Sequence, residues 1–246
     1  MTAGNWRQWL IGSVATLGLA LSLTARAELP AENADWTLKT EDHGIRIYTI
    51  DRPDSSFEAF KADALLDVPL ANVMAVMVNP KSCMEWVHGC VQADQFDGGH
   101  FEDRYAYSVN NMPWPVTDRD YVLHIQTHGN QQHGDVIMNL NAVPGKRPEN
   151  PDYIRVDRSD TLYHLIPEGN KTRMIWVQHT DPNGALPSWL VNTLLVDIPL
   201  KSLRKLEQVA RKPRYQNHVL VYDETGQLRG VVPAPQTGDD EVSLNR

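Results

Sequence analysis

Thr172–Arg211 reads TRMIWVQHTDPNGALPSWLVNTLLVDIPLKSLRKLEQVAR. Two structural periods meet in this stretch. Thr172 to Thr180 has the two-residue alternation and the aromatic and β-branched content of a strand. Asp181-Pro182-Asn183-Gly184 supplies four turn-forming residues in a row. Pro187 suits a helix start, and Val196, Leu200, Leu203, Leu206 and Ala210 then recur at three- and four-residue steps. The spacing predicts a helix over Pro187 to Arg211, kinked at Pro199. From Trp189 to Ile198 only Asn192, Thr193 and Asp197 are polar. A helix apolar on nearly all sides is buried or faces a cavity.

Working outward, strands dominate the rest of the body. Trp36 to Lys39 and Ile45 to Asp51 flank the turn Asp42-His43-Gly44, and Phe57 to Val68 follows. Pro69 to Asn79 carries a helical apolar face (Val73, Met74, Val76, Met77) that Pro80 ends. A short helical piece, Lys81 to Val87, comes next. Strands are then predicted at Val91 to Phe96, Phe101 to Val109, Asp120 to His128, Asp135 to Val143, Ile154 to Leu165 and Thr172 to Thr180. Tyr121, Leu123 and Ile125 share one face of their strand, while His124 and Gln126 share the other. Short turns between neighbours imply an antiparallel meander with one wet face. The fold class is α+β: a curved antiparallel sheet wrapped around one long C-terminal helix. Such an arrangement leaves room between sheet and helix, which either large side chains or a ligand must fill.

The ends read differently. Arg7, the uncharged run Leu10 to Leu23 and Ala25-Arg26-Ala27 have the layout of a signal peptide cut after Ala27. The expectation is an exported, periplasmic protein. The leader carries two arginines and no acid, so its removal takes the formal net charge from −8 to −10. An acidic chain repels phosphate backbones and argues against nucleic acid as a partner. Residues 31–212 read as the globular body. Beyond Lys212, Asn217 to Tyr222 and Gln227 to Val232 flank Asp223-Glu224-Thr225-Gly226 as a small hairpin, and Pro233 to Arg246 reads as a disordered polar tail. In an oxidising compartment Cys83 and Cys90 have two readings, a disulfide or two buried thiols.

Motifs for bond chemistry are missing from the sequence. It contains no Gly-x-Ser-x-Gly, no glycine-rich phosphate loop, no His-Glu-x-x-His and no Cys-x-x-Cys. His124 and His128 lie four apart on a strand, which separates them by about 13 Å, too far to share a metal. Neither a metal nor a cofactor is expected.

Three patches carry a resemblance. Met84-Glu85-Trp86 follows the helical insert; Trp114-Pro115-Val116-Thr117-Asp118-Arg119-Asp120-Tyr121-Val122 leads into a strand; Trp176 through Asp181-Pro182-Asn183-Gly184-Ala185-Leu186-Pro187 enters the long helix. In order and spacing they resemble the START (steroidogenic-acute-regulatory-related lipid transfer) family over Trp36 to Lys212. The resemblance implies a helix-grip fold holding one hydrophobic ligand (a phospholipid, fatty acid or sterol-like molecule) without catalysis. It implies a monomer in transient contact with a membrane. Trp86, Tyr105, Tyr107, Ile125, Met138, Leu140, Trp176 and Leu194 are the candidate cavity residues. Met112, Trp114, Leu186 and Trp189 are candidates for the cavity mouth, with packing beneath the loop as the second reading for Trp114 and core packing for Trp189. Arg119, Asp120, Asp181 and Gly184 are candidates for structural roles, with a salt bridge at the Arg119–Asp120 junction and a ligand headgroup as the second reading for Arg119. The resemblance also places a family arginine of the buried acid–arginine pair at Ile125 and its acid near Tyr105 to Tyr107. This cavity is therefore expected to lack the charged pair and to rely on the tyrosines and on Asn139 and Asn141. Two other functions fit the same fold: an enzyme using Tyr105, Tyr107 and His179 as acid–base groups, and a sensor recognising a partner through the C-terminal hairpin.

Overall fold

The computed structural model describes residues 28–235. The expected leader and the tail beyond residue 235 lie outside the described residues. Strands β1 (Thr37–Asp42) and β2 (Ile45–Ile50) are joined by His43 and Gly44, both at positive φ (51° and 78°). That is the two-residue turn whose twist matches the strands it connects. β3 (Ala59–Leu66) pairs with β2. The chain then leaves the sheet through helices α1 (Leu70–Met77) and α2 (Cys83–Trp86). It re-enters at the far edge with β4 (Cys90–Gly99) and returns through β5 (Asp103–Asn110), β6 (Arg119–Gly129) and β7 (Val136–Ala142). After β8 (Ile154–Arg155), β9 (Arg158–Glu168) and β10 (Lys171–Asp181), helix α3 (Ser188–Ala210) closes the body.

The sheet order is β1-β2-β3-β10-β9-β7-β6-β5-β4, antiparallel throughout, with the two-residue β8 alongside β6 in parallel. The predicted single strand Ile154 to Leu165 is therefore two. The break has a physical cause: Arg155 turns toward β6 to pair with Asp120 and donates to the carbonyls of Pro144, Arg147 and Pro148. A continuous strand beside β7 would not carry its guanidinium there.

Period-two alternation places one face of the sheet against α3. Ile47, Ala62, Ala64, Leu66, Leu165 and Met174 are buried on that face, and Leu203, Leu206 and Ala210 of α3 meet them. The C-terminal half of α3 thus belongs to the solid core. Val73, Met74 and Val76 of α1 join the same cluster. Pro199 interrupts α3 just before this well-packed half; its missing N–H and its ring weaken the helix there.

Cys83 and Cys90 form a disulfide (Cα–Cα 5.9 Å) that ties α2 to the start of β4. The C-terminal hairpin, β11 (His218–Tyr222) and β12 (Leu228–Pro233), lies against the body. Leu228 is buried, with its side chain against Gly129, and Leu220, Tyr222 and Val231 pack on the main core cluster. Arg229 reaches Glu102 at 2.8 Å, and Tyr215, just before the hairpin, donates to Glu85 of α2 at 2.9 Å.

Candidate functional site

Between the sheet, the α1–α2 segment and Ile198 of α3 lies a cavity of about 170 Å³. A second, of about 80 Å³, shares Tyr121, Gln178 and Ile198 with it. Together they run from α2 to the loop after β5. The floor is aromatic: Trp86, Tyr163, Trp176 and Phe60 meet edge to face with centroids 5.3–6.1 Å apart. Edge-to-face contact is a favourable arrangement for such rings. Of the predicted cavity residues, Trp86, Ile125, Met138, Leu140 and Trp176 line the larger space. Leu194 lines the smaller one, beside Met112 and Leu186 of the predicted mouth.

Tyr105 and Tyr107 require a correction. Both belong to the wall, but their rings turn to the opposite face. Tyr105 stacks on His124 and leans on Phe96. Tyr107 donates to Asp120 at 3.1 Å and lies under the Arg147 guanidinium. Asp120 and His124 alternate along β6 with Tyr121, Leu123 and Ile125, which face the cavity. The inward positions of β5 are instead Arg104, Ala106, Ser108 and Asn110. Small residues there make the space, and the large rings pack outside. Asn139 and Asn141 also face outward, since they line a surface cleft with Leu29 and Asp160. His179, the third acid–base candidate, alternates along β10 with Trp176 and Gln178 and does not line the cavity.

The Arg119–Asp120 junction is structural, but not as an ion pair between neighbours. Arg119 is 1% exposed and donates to Pro182 O at 3.1 Å, to Asn183 O at 2.8 Å and to Thr117 O. It thereby holds the Asp181–Gly184 turn that launches α3. Asn183 and Gly184 are both at positive φ (52° and 70°), and a Cβ on Gly184 would sit 3.2 Å from Ile154 Cδ1, so only glycine fits comfortably. Asp181 accepts from the Asn183 N–H at 3.2 Å. Asp120 pairs with Arg155 instead, through two bonds of 2.9 and 2.8 Å, both side chains being almost fully buried. Burial and the neighbouring Asp120 carboxylate push the Tyr107 hydroxyl up to about 12.

Of the candidate mouth residues, Trp114 is 92% exposed, so its ring does not pack beneath its loop. The side chain of Trp189 lies outside the described residues. Met112 and Leu186 both line the smaller cavity, and Trp114 lines a separate surface cleft with Pro187 and Leu190.

The interior is more polar than expected. Trp176 donates to Gln178 (2.9 Å), Gln178 to Thr180 (2.8 Å), and Thr180 meets Ser159 (2.8 Å). These partners satisfy one another. Burial raises the hydroxyl of Tyr121 to about 12 and pushes that of Tyr163 upward as well, so both are neutral donors. The cavity wall carries a lone charged side chain that the sequence reading did not single out, Arg104. This residue is 6% exposed and lines the larger space. It stands on β5 directly across from Ile125 of β6, the position where the family arginine was expected. Its Nη1 donates to Phe101 O (2.6 Å) and Thr127 Oγ1 (3.1 Å), while its Nη2 is buried without a partner. Asn110 Oδ1, further along the same strand face, is likewise buried and unpartnered.

Among the described residues, no group of three or more His, Cys, Asp or Glu is placed to hold a metal ion, and no helix is long and apolar enough to cross a membrane.

A sheet gripping a long C-terminal helix, with an apolar cavity between them, defines a helix-grip ligand-binding protein. The chain belongs to the START domain family, whose model matches residues 24–214. It is 33% identical to an uncharacterised protein of Pseudomonas aeruginosa over 72% of this chain and 88% of that one. It is 28% identical to the phosphatidylcholine transfer protein of Rattus norvegicus over 68% of this chain and 80% of the relative. The crystal structure of a STAR-related lipid transfer protein fragment from Xanthomonas axonopodis superposes with a TM-score of 0.66 at 25% identity, covering 72% of this chain and 99% of that one.

Proposed function

We propose that this protein binds one hydrophobic ligand between its sheet and α3 and carries it between membranes, without bond chemistry. The observation that carries the reading is the cavity pair itself, with an aromatic floor, a band of self-satisfied polar groups and an apolar lip. Two relatives described as lipid transfer proteins support it. The enzyme alternative has less support, because the rings of Tyr105 and Tyr107 turn from the cavity and His179 does not line it.

Size constrains the mechanism. An engineered cavity of about 150 Å³ holds one benzene ring, so spaces of about 170 and 80 Å³ accept only part of a lipid as they stand. Loading a long chain therefore requires the walls to part. The N-terminal half of α3, hinged at Pro199 and carrying Leu194 and Ile198 on the cavity, is the element placed to move. Its C-terminal half, with Leu203 and Leu206 fully buried, stays fixed. Burying each methylene contributes about 0.8 kcal/mol relative to water, but a bilayer offers the same gain. Exchange between membrane and cavity is then close to neutral, as a shuttle needs, and opening of the mouth sets its rate. The exposed Trp114 has the apolar body and polar edge suited to a membrane boundary. With a net charge of −8 for the whole chain, contact with anionic lipid is apolar and brief. The leader pattern and the disulfide support export to an oxidising compartment such as the periplasm, and we take the carrier to be a monomer.

Transfer of a fluorescent phospholipid or fatty acid between donor and acceptor vesicles tests the reading. Acceleration proportional to protein concentration is expected. A rate equal to that of buffer, for both lipids, would contradict it.

A further inference from the structure

We infer that the cavity selects an amphiphile with one anionic group, a carboxylate or a phosphate, and seats that group at Arg104 with the tail toward the Met112–Leu186 lip. The inference rests on the carrier reading and names its ligand class.

The argument starts from an unbalanced charge. Arg104 lies on the cavity wall, 6% exposed, and only part of its guanidinium is used: Nη1 serves Phe101 O and Thr127 Oγ1, and Nη2 has no acceptor. Guanidinium groups buried in proteins are ordinarily paired. The same sheet shows what pairing looks like, because Arg155 takes Asp120 in a two-bond clasp and spreads its remaining N–H groups over three carbonyls. Among the described residues no carboxylate lies within 4 Å of Arg104, and burial alone, with no acidic neighbour, pushes its guanidinium down to about 10. It remains charged at neutral pH. A buried cation with a free donor, on the wall of a space large enough to admit a ligand, lacks an anion that the chain does not supply. A planar guanidinium suits a carboxylate or a phosphate, both of which accept two N–H bonds.

Register fixes the ligand's direction. Arg104 and Asn110 share the inward face of β5, six residues apart, which is roughly 20 Å along a strand. Asn110 ends the strand, next to the loop that carries Met112 to the lip. The anionic group is therefore innermost and the apolar part runs past Ala106 and Leu123 toward the mouth. The acidic exterior does not steer anions to the site, so selection takes place inside.

The test loads delipidated protein from vesicles that contain oleic acid, oleyl alcohol, phosphatidylglycerol or dioleoylglycerol, and quantifies bound lipid by mass spectrometry after separation. At least tenfold preference is expected for an anionic lipid over its neutral counterpart; whether oleic acid or phosphatidylglycerol shows it tells carboxylate from phosphate. Arg104→Met should abolish the preference while still taking up the neutral lipid, which also shows that it is folded. Arg104→Lys should retain the preference at reduced affinity. Inorganic phosphate alone, added at millimolar concentration, should not block uptake; full blockage would assign the site to a free anion and overturn the lipid assignment. Equal uptake of anionic and neutral lipids by the wild type, or an undiminished preference in Arg104→Met, would overturn the inference and leave the carrier reading standing. No uptake of any lipid would overturn both.

Discussion

Two of the three buried arginines on this sheet, Arg155 and Arg104, do opposite things, and the difference is whether the chain provides an acid. Arg155 and Asp120 are a complete pair, and Tyr107 adds a third bond. Removing one partner from such a pair leaves an uncompensated charge and typically costs about 3–5 kcal/mol. Asp120→Asn is therefore expected to lower the urea midpoint by roughly 1.5–2.5 M at a slope of about 2 kcal/mol per M; a shift below about 0.5 M would show that the pair contributes little. His179 makes a second residue-scale prediction. Burial, followed by the neighbouring Arg52, holds its pKa below the ordinary value, and its Nε2 has no partner. The unfolded chain then binds the proton first as pH falls. The stability of the neutral, buried form is complete above the unfolded pKa, near 6.5, and is lost below it as pH falls toward the depressed folded value. His88 is shifted in the same direction by burial. Denaturation series at pH 7 and 5 should show a smaller acid loss in His179→Asn than in the wild type. An identical loss in both would remove His179 from the account. Arg104 itself was legible in the sequence only as one charged residue among many. Because a long loop separates β5 from β6, their register cannot be read from turn length, and aromatic character suggested that Tyr105 and Tyr107 faced inward. The structure reverses the parity: residues that make room for a ligand are small, and Ala106 and Ser108 were the signal.

Among the elements, α3 and the strands facing it were the most legible, because their periods are long and unmixed. Pro187, Pro199 and the turn Asp181–Gly184 are local chemistry and mark their positions without tertiary help. What sequence could not show was the split between β8 and β9, since Arg155 leaves the strand path to pair with Asp120, 35 residues away in the chain. The disulfide depended on a Cα separation that sequence does not contain. It now has a structural consequence: Cys83 opens α2, which presents Trp86 to the cavity floor, and Cys90 opens β4. Closing a loop of this length contributes about 2–3 kcal/mol in the chain-entropy picture. The double variant Cys83→Ser/Cys90→Ser should lose about that much in equilibrium denaturation, and the wild type should lose the same on reduction. A wild type indifferent to reductant would contradict the assignment.

For the molecule as a whole, one half is built to hold and the other to open. The C-terminal half of α3, α1 and strands β2, β3 and β10 form a packed core, onto which the terminal hairpin also docks through Leu228. Fully burying a leucine contributes about 1.5–3 kcal/mol, so ending the chain after Tyr215 should cost at least about 2 kcal/mol in thermal or urea unfolding. Ligand uptake should persist, because no hairpin residue lines the cavity. Loss of uptake with stability unchanged would place the hairpin in the binding machinery instead. The other half, from β4 to β6 with the first turns of α3 and the Trp114 loop, encloses space that the protein's own side chains do not fill. The most direct measurement of that space is native mass spectrometry of the purified protein, followed by organic extraction. The account predicts one lipid-sized adduct per chain, released intact by solvent. A bare polypeptide mass that persists after incubation with phospholipid and fatty-acid vesicles would contradict it.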